Sequence, residues 1–143
     1  MKISTKGRYA LRLALDIAAN QQCGPVSLRE VSERQGISLK YLEQLARSLS
    51  KGGVLTSTRG AHGGYSLASD PQDVTAGDVL RSSEGSTAPV ACLEDDYGVC
   101  PMRGECETIA FWEGLDQVIE QYMDSVALAD LMNKTAVAVP GSR

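Results

Sequence analysis

The chain is poor in the residues that enzymes and metal cages most often use. Its 143 residues include one His, one Trp, one Phe and four Cys. A single imidazole leaves little room for a His-rich metal site or a His-based triad. No apolar run approaches the roughly 20 residues of a membrane span. The opening Met1-Lys-Ile-Ser-Thr-Lys-Gly-Arg has no apolar core behind its charges, so no export signal is expected and the predicted location is the cytoplasm. Positive charge is also scarce: 14 Lys+Arg stand against 18 Asp+Glu, a net charge of −4, which as an average argues against nucleic acid. A hydrophobic fraction of 43% with 22% charged residues nevertheless belongs to a chain that folds and buries a core.

The average conceals a split. Residues 1–65 carry ten Lys/Arg and four acids, a balance of +6, and the remainder carries four basic residues and fourteen acids, a balance of −10. Such segregation points to a basic binding face on an acidic body.

The basic half reads as three helices and a hairpin. Ala10, Leu11, Ala14, Leu15, Ile17 and Ala18 recur at three- and four-residue spacing, and Gly24-Pro25 ends that helix. Cys23, at its end, is expected to be a packed thiol. Ser27 and Glu30 form a capping-box pair opening a second helix, whose buried face is Leu28 and Val31 and which Gly36 stops. Ser38 is the next N-cap, and Leu39, Tyr41, Leu42, Leu45, Ala46 and Leu49 continue a third helix to Gly52-Gly53. Two short helices joined by a tight Gly-containing turn predict a helix-turn-helix. Lys40, Glu43, Gln44 and Arg47 fall on the exposed side of its second helix, where such side chains reach base edges and phosphates in a major groove. Then β-prone flanks, Val54 to Arg59 and Tyr65 to Ala68, bracket a Gly-rich tip with Arg59, Gly60 and His62. A hairpin after a helix-turn-helix is a wing, and Arg59 at its tip suits a narrow minor groove. His62 is expected near phosphate rather than as a ligand or base.

Thr75 and Asp78 cap a fourth helix. Three Cys follow within fifteen residues, Cys92, Cys100 and Cys106, in a loop that also holds Glu94, Asp95 and Asp96. Thiolates at these spacings can fold around one soft metal centre, either a cluster or zinc, although the paired Cys-x-x-Cys of zinc ribbons is absent. Thiol redox chemistry and three unrelated thiols are the other readings. From Thr108 a helical pattern resumes through Ile109, Phe111, Trp112, Leu115, Val118, Ile119, Tyr122, Met123 and Val126. So wide an apolar face predicts pairing with a second copy, packing on its own domain, or both. The predicted fold is mainly α with a small β wing. It divides into a winged helix-turn-helix over 1–85, a cysteine loop over 86–107, a dimerisation helix and helical segment over 108–133, and a flexible tail over 134–143.

Taken together, the opening Lys2-Ile-Ser-Thr-Lys-Gly-Arg-Tyr-Ala10, the run Val31 to Ser38, Tyr41-Leu-Glu-Gln-Leu45, the Arg59-Gly-x-x-Gly-Gly-Tyr65 wing and the Cys106-to-Trp112 junction resemble the IscR/NsrR group. These are bacterial winged-helix regulators that carry iron–sulfur clusters, and the likeness spans residues 1 to about 133. It implies a homodimer on double-stranded DNA, a long crossed dimerisation helix, and a 2Fe–2S cluster held by Cys92, Cys100 and Cys106 that controls iron–sulfur biogenesis genes. The implied DNA-contact set is Ser38, Lys40, Tyr41, Glu43, Gln44, Arg59, Gly60 and His62. One position departs from the group: its usual fourth ligand, a His three residues after the last Cys, is replaced by Ile109. The fourth donor is then an acid such as Glu94, Asp95, Asp96, Glu105 or Glu107, a backbone group, water or a small thiol. The competing functions are a zinc or thiol-redox DNA-binding regulator, a protein-interaction adaptor, and a Cys enzyme, which would lack a base.

Overall fold

A computed structural model describes residues 2–95, 98, 100–134 and 138–139. Asp96 lies outside them, as does the predicted tail apart from Lys134, Ala138 and Val139. In chain order the elements are α1 (Thr5–Asn20), α2 (Leu28–Gln35), α3 (Leu39–Lys51), β1 (Leu55–Thr58), β2 (Gly64–Leu67), α4 (Ala76–Glu84), α5 (Ile109–Ser125) and α6 (Leu128–Met132). Single 3-10 turns cover Ala91–Leu93 and Arg103–Glu105. This is a winged helix-turn-helix with a long helix appended.

The local signals act where the chain places them. The Glu30 N–H donates to Ser27 Oγ at 3.3 Å while the Ser27 N–H donates back to Glu30 Oε2 at 3.4 Å. Thr75 and Asp78 make the same reciprocal pair at 3.0 and 2.9 Å. Gly36 closes α2 in the left-handed conformation, its N–H on Ser32 O, and Ser38 Oγ accepts the Tyr41 N–H at 3.2 Å to start α3. Free first-turn amides of each helix thereby gain acceptors.

Helix α1 is the centre of the core. Ala10, Leu13, Ala14 and Ile17 are fully buried, and the helix meets α2, α3, α4, α6 and β2. Against it lie Val31, Leu42, Leu45, Leu49, Val79 and Leu128, none with accessible surface. Leu13 belongs to this face, whereas Leu11 and Leu15 only flank it. The helix ends at Asn20, earlier than Gly24-Pro25, so Cys23 falls in the turn beyond and is exposed rather than packed. A residue in that turn has left the helical stripe that faces the core.

Two polar clamps fix α1 to its neighbours. Asp16 is 5% exposed and receives Arg34 Nη2 at 2.7 Å and Gln35 Nε2 at 2.9 Å, which joins α1 to α2. That carboxylate holds the Arg34 guanidinium above its ordinary pKa. At the other end, Glu84 Oε1 accepts the Ser4 N–H at 3.0 Å, the Ser4 hydroxyl at 2.6 Å and the Gly7 N–H at 3.0 Å. A carboxylate from α4 therefore caps the start of α1, where the helix dipole favours negative charge.

The wing is antiparallel, with Leu55 opposite Leu67 and Thr58 opposite Gly64. Val26 adds a third strand-like rung through two 2.8 Å backbone bonds with Tyr65. A Cβ at Gly64 would lie 2.3 Å from Val26 O, so the rung needs glycine there. The C-terminal segment returns to this domain. Ala76 N–H donates to Val126 O and Leu128 N–H to Val74 O, both at 2.8 Å, and Leu128 enters the core. Helix α5 is held beside α4 by Arg81, which reaches Glu120 and Asp124 at 2.5 Å each.

Loss of the Glu84 carboxylate is expected to matter more than its exposure suggests, because three donors share it. Glu84→Ala should lower stability by about 0.5–2 kcal/mol. Denaturant unfolding of both proteins checks this, and coincident midpoints would remove Glu84 from the stability of α1.

Candidate nucleic-acid interface and cysteine loop

Helix α3 turns Leu42, Leu45, Ala46 and Leu49 inward, which leaves Lys40, Glu43, Gln44 and Arg47 on the outer side, all exposed. Ser38 is also exposed and is occupied as the N-cap. Tyr41 is placed differently: it is half-buried, its ring edge-on to Tyr9 with centroids 6.0 Å apart, and Arg12 lies 5.3 Å over the Tyr9 ring. Its ring thus steadies the N-terminal half of α3 against α1. Arg59, Gly60 and His62 form the exposed tip of the wing, closed by Gly63 N–H on Gly60 O at 3.0 Å.

Helix and wing enclose a shared groove lined by Leu28, Glu43, Arg47, Ser50, Ser57 and Tyr65. Ser57 and Tyr65 are additions to the residues expected there, whereas Arg47 is one of the outward α3 positions that the sequence already picks out. Arg47 follows from the same helical spacing as Glu43 and Gln44. Ser57 and Tyr65 face each other across the wing ladder, which only the register makes visible.

Electrostatics favours this face. Among the described residues, Lys40, Arg47 and Arg59 take part in no ion pair, while Arg81 and Arg103 of the acidic half are spent on Asp78, Glu120, Asp124 and Glu113. Among the described residues, most of the unpaired positive charge therefore lies in the basic half, where cations can neutralise phosphates.

The cysteine loop sits at the opposite end of the sequence logic. Cys92 lies in the first 3-10 turn, Cys100 opens the next turn, and Cys106 follows the second 3-10 turn directly before α5; all three are half-exposed free thiols. Cys106 Sγ is 3.4 Å from the Thr108 hydroxyl. That hydroxyl first, then the backbone N–H of Thr108, lowers the Cys106 pKa below its ordinary value, with smaller help from the Ile109 amide and Arg103. The amides belong to the free end of α5, a setting that favours thiolate. Ile109 begins that helix as a half-buried hydrocarbon and offers no donor.

Three soft thiol donors suit an iron–sulfur cluster chemically. Their placement is looser: among the described residues, no three His, Cys, Asp or Glu side chains are gathered closely enough to hold a metal ion. The loop in this arrangement is a set of reachable donors and not a preformed cage. The nearby acids line a cleft instead, where Arg81, Glu84, Glu94, Asp95, Asp116 and Glu120 meet. Burial, reinforced by Glu120, raises the Asp116 carboxyl above its ordinary pKa. Among the described residues no helix is long and apolar enough to cross a membrane.

A family model described as "Rrf2: Iron-dependent Transcriptional regulator" matches residues 3–134. The protein rrf2 of Nitratidesulfovibrio vulgaris is 42% identical over 137 residues, which are 96% of this chain and 91% of that protein. The HTH-type transcriptional regulator IscR of Escherichia coli is 39% identical over 137 residues, 96% of this chain and 83% of its own. Among solved structures, CymR (YrzC), described as the global cysteine regulator of B. subtilis, superposes with a TM-score of 0.74 at 39% identity, covering 95% of this chain and 99% of that one.

Two measurements follow from this geometry. Arg59→Ala should weaken operator binding by about 1–3 kcal/mol and reduce the salt slope by about one counterion; unchanged affinity and slope would take Arg59 out of the interface. In a variant whose sole thiol is Cys106, alkylation should reach half its maximal rate at a pH below that of an ordinary cysteine, and Thr108→Val should move it back up. The sign follows from the stabilised thiolate. Identical profiles with and without the Thr108 hydroxyl would dismiss its role.

Proposed function

The chain belongs to the Rrf2 family of transcriptional regulators, and from that premise we propose that it is a cytoplasmic, non-enzymatic DNA-binding homodimer that senses iron–sulfur status through Cys92, Cys100 and Cys106. The observation that carries the DNA-binding part is the exposed face shared by α3 and the wing, with Lys40, Arg47 and Arg59 unpaired among the described residues. Lys40, Glu43 and Gln44 meet base edges in a major groove, where the Glu43 carboxylate accepts from a cytosine amine and repels other acceptors. Ser38, Tyr41, Gly60 and His62 complete the contact set near the backbone, and Arg59 enters the flanking minor groove. A two-fold dimer sets two such faces on a palindromic operator.

The three thiols would hold the cluster, of 2Fe–2S type in this reading, and a bound cluster would supply a redox- and iron-dependent crosslink of the loop to the start of α5. What this chain contributes is the route outward. Helix α5 is tied to α4 through Arg81, and Gly52 at the end of α3 abuts Ser82 of α4, where a Cβ would meet Ser82 Oγ at 2.1 Å. A shift of α5 therefore reaches α3 through one helix, and differential stabilisation of two α5 settings changes operator affinity by linkage.

A second reading keeps the DNA-binding face and makes the three cysteines a thiol switch. It is favoured by the likeness to CymR and by the dispersed, half-exposed thiols.

Anaerobic purification followed by a visible spectrum and iron, sulfide and zinc analysis separates the readings. The expected result is a brown protein with matching iron and sulfide, and Cys100→Ala that loses both while remaining folded and dimeric. A colourless protein that fails reconstitution and whose DNA affinity changes with thiol oxidation overturns the cluster in favour of the switch. Bound zinc without iron overturns both.

A further inference from the structure

Among the described residues of the DNA-binding half, Leu39 is the one large apolar side chain left exposed, at 37%. A single exposed leucine is ordinary on a protein surface, and it is the place of this one that gives it meaning. It is the first residue of α3, between the Ser38 cap and Lys40, and it stands four before Glu43 on the same helical stripe. Glu43 in turn lines the groove between α3 and the wing. The N-terminal residues of a recognition helix are the ones that meet base edges.

Packing within the chain does not account for Leu39. Its spacing from Leu42, Ala46 and Leu49 extends the inward stripe of α3, and those three have no accessible surface. Among the described residues, Leu39 is nevertheless not one of the apolar side chains packed on the core. The other apolar task at a helix start is a contact between the residue before the cap and the fourth residue of the helix. That task falls to Ile37 and Leu42, both buried in the core cluster.

In a major groove only one base offers an apolar group, the C5-methyl of thymine. A leucine facing guanine, adenine or cytosine strips water from donors and acceptors that it cannot satisfy, which costs affinity. Facing thymine, it covers the methyl and leaves water itself. Resting on the DNA-binding reading above, we propose that Leu39 is a specificity-determining residue that selects thymine through its C5-methyl, one or two base pairs from the pair read by Glu43. The offset follows from a rise of about 6 Å over four helical residues against about 3.4 Å per base pair. Lys40, Glu43 and Gln44 read by charge and hydrogen bonds; Leu39 adds a reading that releases no counterion and so is indifferent to salt.

The probe is the duplex that the anaerobically purified wild-type chain enriches from a random-sequence library, with each thymine in turn replaced by deoxyuridine. That replacement removes the methyl and leaves the pairing edge unchanged. At one thymine position it should weaken wild-type binding about fourfold, the value of one buried methyl group. Leu39→Ala should bind the unmodified duplex more weakly by at least that factor and lose its sensitivity to the replacement. Its salt slope should stay at the wild-type value, which separates a lost methyl contact from a lost phosphate contact. Leu39→Met keeps an apolar chain there and should keep the sensitivity, with matching circular dichroism spectra showing all three proteins folded. Replacements that cost wild type and Leu39→Ala the same at every position would overturn the assignment and leave the DNA-binding face standing, as would an enriched sequence without thymine. A wild-type chain that enriches no sequence would overturn the sequence-reading face and the assignment with it.

Discussion

The close packing of α1 governs everything else in this molecule. Its inward face alternates Ala10, Ala14 and Ala18 with Leu13 and Ile17. Small side chains let the neighbouring helices approach, and the two large ones fill what remains. Five other elements take their positions from this helix. Helix α3 is one of them, so the outward aim of Lys40, Glu43, Gln44 and Arg47 is a consequence of how Leu42, Leu45 and Leu49 seat against α1 and its surroundings. Polar contacts then fix the angle and register. Asp16 gathers Arg34 and Gln35 at one end, and Glu84 gathers Ser4 and Gly7 at the other.

The distribution of ion pairs explains how an acidic protein presents a basic surface. Arg81 and Arg103 neutralise acids within their own half. Asp16 is consumed by Arg34 inside the DNA-binding half. What remains outward on α3 and the wing is mainly cationic, with Glu43 as a single carboxylate among them. A net charge of −4 is compatible with nucleic-acid binding because phosphate responds to the nearest few ångströms of surface, screened from the distant acids within about a Debye length.

Helix α5 gives the cysteine loop one physical connection to that surface. Cys106 lies directly before the first turn of α5, α5 is latched to α4 through Arg81, and α4 touches both the start of α1 and the end of α3. Among the described residues, the regular structure of the loop consists of single 3-10 turns around Cys92 and before Cys106. A loop with few buried contacts reorganises at low cost, whereas the packed helices beyond it move as units.

Local chemistry made much of this fold legible. The caps at Ser27, Ser38 and Thr75, the αL stop at Gly36, the wing with Arg59 at its tip and the outward set on α3 all depend on residues within four positions of one another. So does the apolar double face of α5, although spacing alone left open whether it met its own domain or a second copy; Met123 and Val126 face inward and Phe111 and Val118 do not. Other features depend on residues far apart in the chain, whose meeting no local pattern encodes. These are the Glu84 carboxylate capping α1, the Val26 rung on the wing, the return of Leu128 to the core, and the packing of Tyr41 on Tyr9. The exposure of Cys23 turned on where α1 stops, and the dispersal of Cys92, Cys100 and Cys106 turned on the path of a loop. Helices, turns and the sign of each surface follow from short-range hydrogen bonding and periodicity, which the sequence by itself determines. Which distant carboxylate reaches which amide, and which thiols stand together, is decided by close packing of the whole chain, so only the tertiary structure settled it.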